Sequence, residues 1–236
     1  PEWFYVAPQY QDTDFSQMTD NECYTIVQKY SQLCYTEGYY EDDEGGMFDT
    51  FVQNLIGYIQ NEPDAELFML GMGDNEYFCD CERCQADVAK YKKSGVMMRF
   101  VNKVAKEINR WLKEESGTPD RKIYLAAFAY LTVMEPPVKY ENRQPVPIDD
   151  SVVAEDNVCI RIAPLTNSNF YWAINDAEKN TYMNTCISGW KEISSNFSIW
   201  DYRVYYHNVV APYPYWNTVK ANLEIYKDMN VIDVYH

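Results

Sequence analysis

The chain has 236 residues, 47% of them hydrophobic, and carries 36 acidic against 20 basic side chains for a formal net charge of −16. That length allows one large or two small domains with a sizeable core, and the charge argues against nucleic acid and anionic membrane surfaces, which are held by clustered cations. The longest apolar runs, such as residues 123–130, fall far short of a membrane span.

Taken in chain order, short apolar runs alternate with amphipathic stretches. The runs cover residues 32–36, 66–73, 122–130, 157–163, 197–202 and 230–235. Each is nearly continuous in apolar residues, as expected of parallel strands covered on both faces. After the first run, Phe48, Phe51, Val52, Leu55 and Ile59 form a helical stripe. After the second, Met97, Phe100, Val101, Val104, Ala105, Ile108, Trp111 and Leu112 form the clearest stripe. Ser94 stands at its expected N-cap, and Gly117 and Pro119 form its stop. Residues 131–156 are rich in Pro and charge, and read as a long loop with room for a displaced strand. Tyr182, Met183, Cys186, Ile187, Trp190 and Ile193 make a third stripe, and Trp216, Val219, Leu223 and Tyr226 a fourth.

Such alternation means a parallel sheet, closed or doubly wound. No G-x-G-x-x-G or Walker motif follows any run, which counts against the nucleotide-binding versions. Six strands are countable where a (β/α)8 TIM-type barrel needs eight. The chain opens at Pro1-Glu2-Trp3 without an initiator Met. The expected fold is therefore a single incomplete α/β barrel over residues 1–236, with strands three to eight present and the first two missing. It would be a fragment of a longer polypeptide with other domains.

Barrel chemistry sits on the loops after the strands. There the sequence places Asp74, Asn75 and Glu76, then Tyr130, then Trp172, then Trp200, Asp201, Tyr202 and His207. Glycosidic bond cleavage needs two carboxylates across a cleft. Asp74 or Glu76 on one loop and Asp201 on another meet that need, although each can equally cap its own loop. The 22 Tyr and 6 Trp supply flat faces for sugars as well as core. Arg161 lies within an apolar strand and must be paired, either with a barrel carboxylate or with a substrate carboxylate such as a uronic acid. No G-x-S-x-G elbow is present, and two His are too few for a histidine metal site.

Cys79, Cys81 and Cys84 form C-x-C-x-x-C directly after Asp74-Asn75-Glu76, and Cys34 ends the preceding run. Neighbouring barrel strands would bring the four together. They can then bind zinc tetrahedrally, pair as disulfides or stay free. Four thiolates leave a zinc no open position, so such an ion is structural and catalysis calls for no cofactor. Cys159 and Cys186 fall on apolar faces, and the total of seven Cys rules out complete internal pairing.

The string from Asp74 to Cys84, Asp-Asn-Glu-Tyr-Phe-Cys-Asp-Cys-Glu-Arg-Cys, resembles the domain of unknown function 4838 family. Pro1-Glu2-Trp3-Phe4, Leu33-Cys34-Tyr35-Thr36, Phe100-Val101-Asn102, Leu125-Ala126-Ala127-Phe128-Ala129-Tyr130 and Ile199-Trp200-Asp201-Tyr202 fit further family segments in order. Residues 12–30 resemble an insertion. The resemblance implies a barrel like those of α-glucuronidases and other glycoside hydrolases, in exported proteins of glycan-degrading bacteria. The expected function is glycoside hydrolase-like action on a polysaccharide or glycan. Asp74 or Glu76 would be the acid and Asp201 the nucleophile or base, with Asn75, Tyr130, Arg161, Trp172, Trp200, Tyr202 and His207 holding sugar. The alternatives are a non-catalytic carbohydrate-binding barrel and a purely structural one in a larger surface protein.

Overall fold

A computed structural model describes residues 18–19, 32–40, 46–165, 168–202, 210 and 215–235. Within them, five parallel strands form one sheet: β1 (Leu67–Leu70), β2 (Tyr124–Ala129), β5 (Val158–Ile162), β6 (Phe197–Trp200) and β7 (Val231–Tyr235), side by side in that order. Four helices accompany them: α1 (Met47–Asn61), α2 (Glu82–Glu114), α3 (Thr181–Lys191) and α4 (Val219–Asp228). A small antiparallel hairpin of β3 (Val138–Glu141) and β4 (Gln144–Pro147) is inserted after β2.

This corrects the expected barrel. The sheet is a half-barrel wall of five strands, not strands three to eight of a (β/α)8 barrel. The run 32–36, expected as a strand, makes a turn, with Glu37 N donating to Cys34 O at 3.1 Å. Its two polar ends explain the difference. Gln32 and Thr36 are buried, at 6% and 1% exposure, and both put their side chains on neighbouring loops instead of pointing out of a ladder. The long loop expected over 131–156 contains the hairpin. Asn142 and Arg143 hold its two-residue turn with φ of 50° and 67°, the left-handed pair that matches strand twist.

The strands are added always on the same side. Right-handed crossovers then place every helix on one face of the sheet. That face carries Leu125, Ala127, Ile160, Ile162 and Ile199, all at 0% exposure, and α2 packs across it against β2 and β5. The opposite face follows from the register. Met69 pairs with Ala126, Ala126 with Cys159, Phe128 with Arg161, Arg161 with Ser198, Ser198 with Asp233 and Trp200 with Tyr235. In a closed barrel this would be the interior.

Helix α2 begins earlier than expected. Cys81 caps it, its sulfur accepting from Cys84 N at 3.4 Å. The helix breaks at Lys92 (φ 65°, ψ 167°) before running on. The expected cap at Ser94 does not form: its hydroxyl is buried with no hydrogen-bond partner. Further along the chain, α3 presses on the hairpin through Gly189, where an added Cβ would meet Pro136 Cγ at 2.5 Å and Val138 Cγ2 at 3.2 Å. A proline ring cannot swing aside. Gly189→Ala should therefore cost up to about 2 kcal/mol, because a contact this short falls at the upper end of the ~1–3 kcal/mol overpacking range and outweighs the ~1 kcal/mol gained in helix propensity. A urea titration of the variant measures it, and an unchanged midpoint refutes the tight contact.

Candidate functional site

The loops after the strands gather at the carboxyl edge of the half-barrel. Period-two alternation sends Phe128, Trp200 and Tyr235 to the same, inner face. Their rings meet: Trp200 lies 5.8 Å from Phe128 and 4.5 Å, edge-on, from Tyr235. Tyr202 stacks on Trp200 at 6.2 Å and 24°, and Tyr130 lies 6.3 Å from Phe128. The result is an aromatic wall half open to solvent, with Tyr235 at 50% exposure. Of the expected sugar-binding residues, Tyr130, Trp200 and Tyr202 belong to this wall. Phe128 and Tyr235 were missed, although stepping by two from Asp233 along the last apolar run reaches Tyr235.

Asp201 continues the ladder past β6, its N–H donating to Tyr235 O at 2.7 Å, and is half-buried. Asp74 and Glu76 are exposed on the loop after β1, with Asn75 half-buried between them. From β1 to β6 is three strand steps, roughly 14 Å along a flat sheet. Paired carboxylates work at about 5–10 Å.

Arg161 takes the first of its two expected roles. Its guanidinium ion-pairs with Asp233, and its Nε donates to Ser198 Oγ at 2.8 Å. Ser198 Oγ in turn donates to Asp233 at 3.0 Å. These three residues form a row across β5, β6 and β7. Trp172 is exposed in the turn after β5, with the Lys179 ammonium 5.7 Å over its ring. His207 lies outside the described residues.

Beside the β1 loop, Cys34, Cys79, Cys81 and Cys84 converge as the spacing implied, with all four sulfurs within 4.8 Å of one another. Cys34 Sγ lies 3.7 Å from Cys81 Sγ and 3.9 Å from Cys84 Sγ. All four are free thiols, and a disulfide would need about 2.05 Å. Thr36 Oγ1 sits 3.1 Å from Cys84 Sγ. S–H donation, first from Cys79 and then from Cys84, holds the Cys34 thiol far below its ordinary range. The same contact with Cys34 drives Cys79 far upward and lifts Cys84 to about 12. Four sulfurs in this arrangement can hold a metal ion. Cys159 and Cys186 are different: burial raises them to about 12 and about 11, as inert core thiols.

Gln32 was missed by sequence reading. Its amide donates to Gly73 O at 2.9 Å and to Asn75 Oδ1 at 2.7 Å, and accepts from Gly73 N at 3.1 Å. A single buried glutamine leaves no pattern in a sequence. Among the described residues, no helix is long and apolar enough to cross a membrane.

Comparison with known proteins gives one result. The model of the family described as "Domain of unknown function (DUF4838)" matches residues 1–236. No curated protein and no solved structure matches the chain. The chain belongs to the DUF4838 family.

Proposed function

We propose that this DUF4838 protein handles a polysaccharide or glycan at the carboxyl edge of its half-barrel. The aromatic wall of Tyr130, Phe128, Trp200, Tyr202 and Tyr235 carries the reading. Flat, half-exposed rings beside carboxylates stack on sugar faces, while the carboxylates accept hydroxyl hydrogen bonds. In the catalytic form of the proposal, Asp74 or Glu76 protonates the leaving oxygen. Asp201 then serves as nucleophile or as base toward water. Export to the periplasm, the cell surface or the medium accompanies this reading, since polymeric glycans are met outside the cell.

The test is a screen of the full-length polypeptide against aryl glycosides of uronic acids and of neutral sugars, with Asp74→Asn and Asp201→Asn alongside. Turnover lost in either variant while binding persists supports a hydrolase. Equal binding with no turnover in any form identifies a binding module. Trp200→Ala should weaken sugar binding about tenfold, the ~1.4 kcal/mol typical of a lost aromatic contact. No binding of any sugar by the wild type ends the proposal.

The ion of the four-cysteine cluster is, in our reading, structural zinc. With Zn–S bonds of ~2.3 Å, the edge of a tetrahedron is about 3.8 Å. The sulfurs of Cys34 and Cys81, and of Cys34 and Cys84, lie 3.7 and 3.9 Å apart. An iron–sulfur cluster ties its cysteines to separate irons and so spreads them further. Soft thiolates and a closed tetrahedral set are the donor chemistry that zinc prefers.

A further inference from the structure

We propose that metal occupancy of the four-cysteine centre sets the shape of the Asp74–Asn75–Glu76 loop, with Gln32 as the positioning residue that forms the loop's second tie. The inference rests on the metal-binding reading of the cluster.

The segment 32–36 stands beside the carboxyl end of β1 without forming a strand. Two side chains replace the missing ladder. Gln32 presents its amide to Gly73 as a peptide group would, taking its N–H at 3.1 Å and giving to its C=O at 2.9 Å. The same nitrogen holds Asn75 Oδ1 at 2.7 Å, and that oxygen also takes Tyr77 N at 2.9 Å. Two residues later, Cys34 contributes its sulfur to the cluster with Cys79, Cys81 and Cys84. The β1 loop is thus tied to one short segment at both of its ends: at Gly73 and Asn75 by Gln32, and at Cys79 by the metal. Asp74 and Glu76 stand on either side of Asn75, between Gly73 and Cys79.

Closing a loop at both ends removes most of its conformational freedom. Loss of the metal opens one end, and Gln32 alone then holds the other. The fold itself survives, because Tyr35 remains buried against Phe78 at 5.6 Å and against Phe100 at 5.3 Å. Loop order therefore depends on metal, while the sheet stays folded without it, at lower stability. Asn75 is the member through which the effect reaches the candidate sugar site, its side chain being shared by Gln32 and Tyr77.

The experiment is hydrogen–deuterium exchange on the full-length protein with zinc and after chelation, alongside the Gln32→Leu variant. Metal content is measured by atomic emission in each sample. Peptides from β2 and β5 report global folding. Expected results are exchange over residues 73–78 faster by about tenfold on chelation, at labelling times over which β2 and β5 stay protected in both samples. Gln32→Leu should show the same loosening with zinc still bound, which a merely structural loss of the metal site would not produce. If wild type binds zinc but residues 73–78 exchange equally with and without it, the coupling is refuted while the zinc reading stands. If Gln32→Leu leaves residues 73–78 as protected as wild type with zinc bound, Gln32 has no positioning role. Absence of metal in the wild type refutes both.

Discussion

Chelating the metal is expected to lower the melting temperature by roughly 10 °C. An ion present at about 1,000 times its dissociation constant stabilises the folded state by ~4 kcal/mol. A chain of this size shifts ~2–4 °C per kcal/mol. The centre joins the turn after residue 32, the β1 loop and the start of α2 through Cys34, Cys79, Cys81 and Cys84, so all three lose an anchor together. Cys84→Ser should reproduce the loss, since Cys84 is fully buried, at 0% exposure, and supplies the ligand inside the helix. The effect has a definite pH sense. Metal binding requires thiolates and releases protons, so zinc affinity falls as pH falls, and the difference between metal-loaded and chelated protein should shrink towards acid. Thermal melts with and without chelator, paired with zinc analysis, decide the matter. Equal melting temperatures in a sample shown to contain zinc would refute a stabilising centre.

Asp233→Ala is expected to cost about 2–4 kcal/mol and the double change Arg161→Met with Asp233→Leu much less. Arg161 is 6% exposed, and its guanidinium has Asp233 and Ser198 as partners. Removing the carboxylate leaves a buried cation without its counter-charge, a loss that reaches ~3–5 kcal/mol in closed interiors. The Asp233 side chain is 39% exposed, so water moderates the cost. Replacing both members by apolar residues of similar volume removes the desolvated charge as well as its partner. Urea midpoints of the single and double variants check this. A double variant as unstable as the single would mean that Asp233 matters through something other than its pairing with Arg161.

Near-continuous apolar runs identified all five strands of the parallel sheet, because the helix-covered face is fully buried and aromatic or apolar residues also occupy much of the opposite face. Closure was not legible in the same way. Residues 32–36 are as apolar as a strand, yet Gln32 satisfies Gly73 through a side chain. A short run carries no periodicity by which to separate the two. The hairpin at 138–147 was hidden by Pro145 and Pro147, which read as loop, and its signal was Asn142 at a left-handed position. In the site, cysteine spacing and the placement of run 32–36 beside the β1 loop located the four-thiol cluster, although that run is a turn and not the neighbouring strand expected. The aromatic wall was partly legible from Trp200 and Tyr202, whereas Tyr235 enters it only through the β6–β7 register. Arg161 was recognisable as needing a partner, but which carboxylate faced it was a matter of alignment between strands that sequence does not record.

Strand β7 has a consequence for how copies of this chain behave together. Among the described residues it stands last in the sheet, and Ile232 and Tyr235 are 40% and 50% exposed. An outermost strand of this kind is a template on which another chain can pair and begin a fibre. Val231–Tyr235 reads Val-Ile-Asp-Val-Tyr, a segment of high β-propensity interrupted by one charge. In a stack of identical strands, successive Asp233 carboxylates would lie ~4.8 Å apart and repel. The residue that neutralises Arg161 within the fold thus also guards the strand against self-association, and its neutral variants should aggregate from solution faster than their loss of stability alone accounts for.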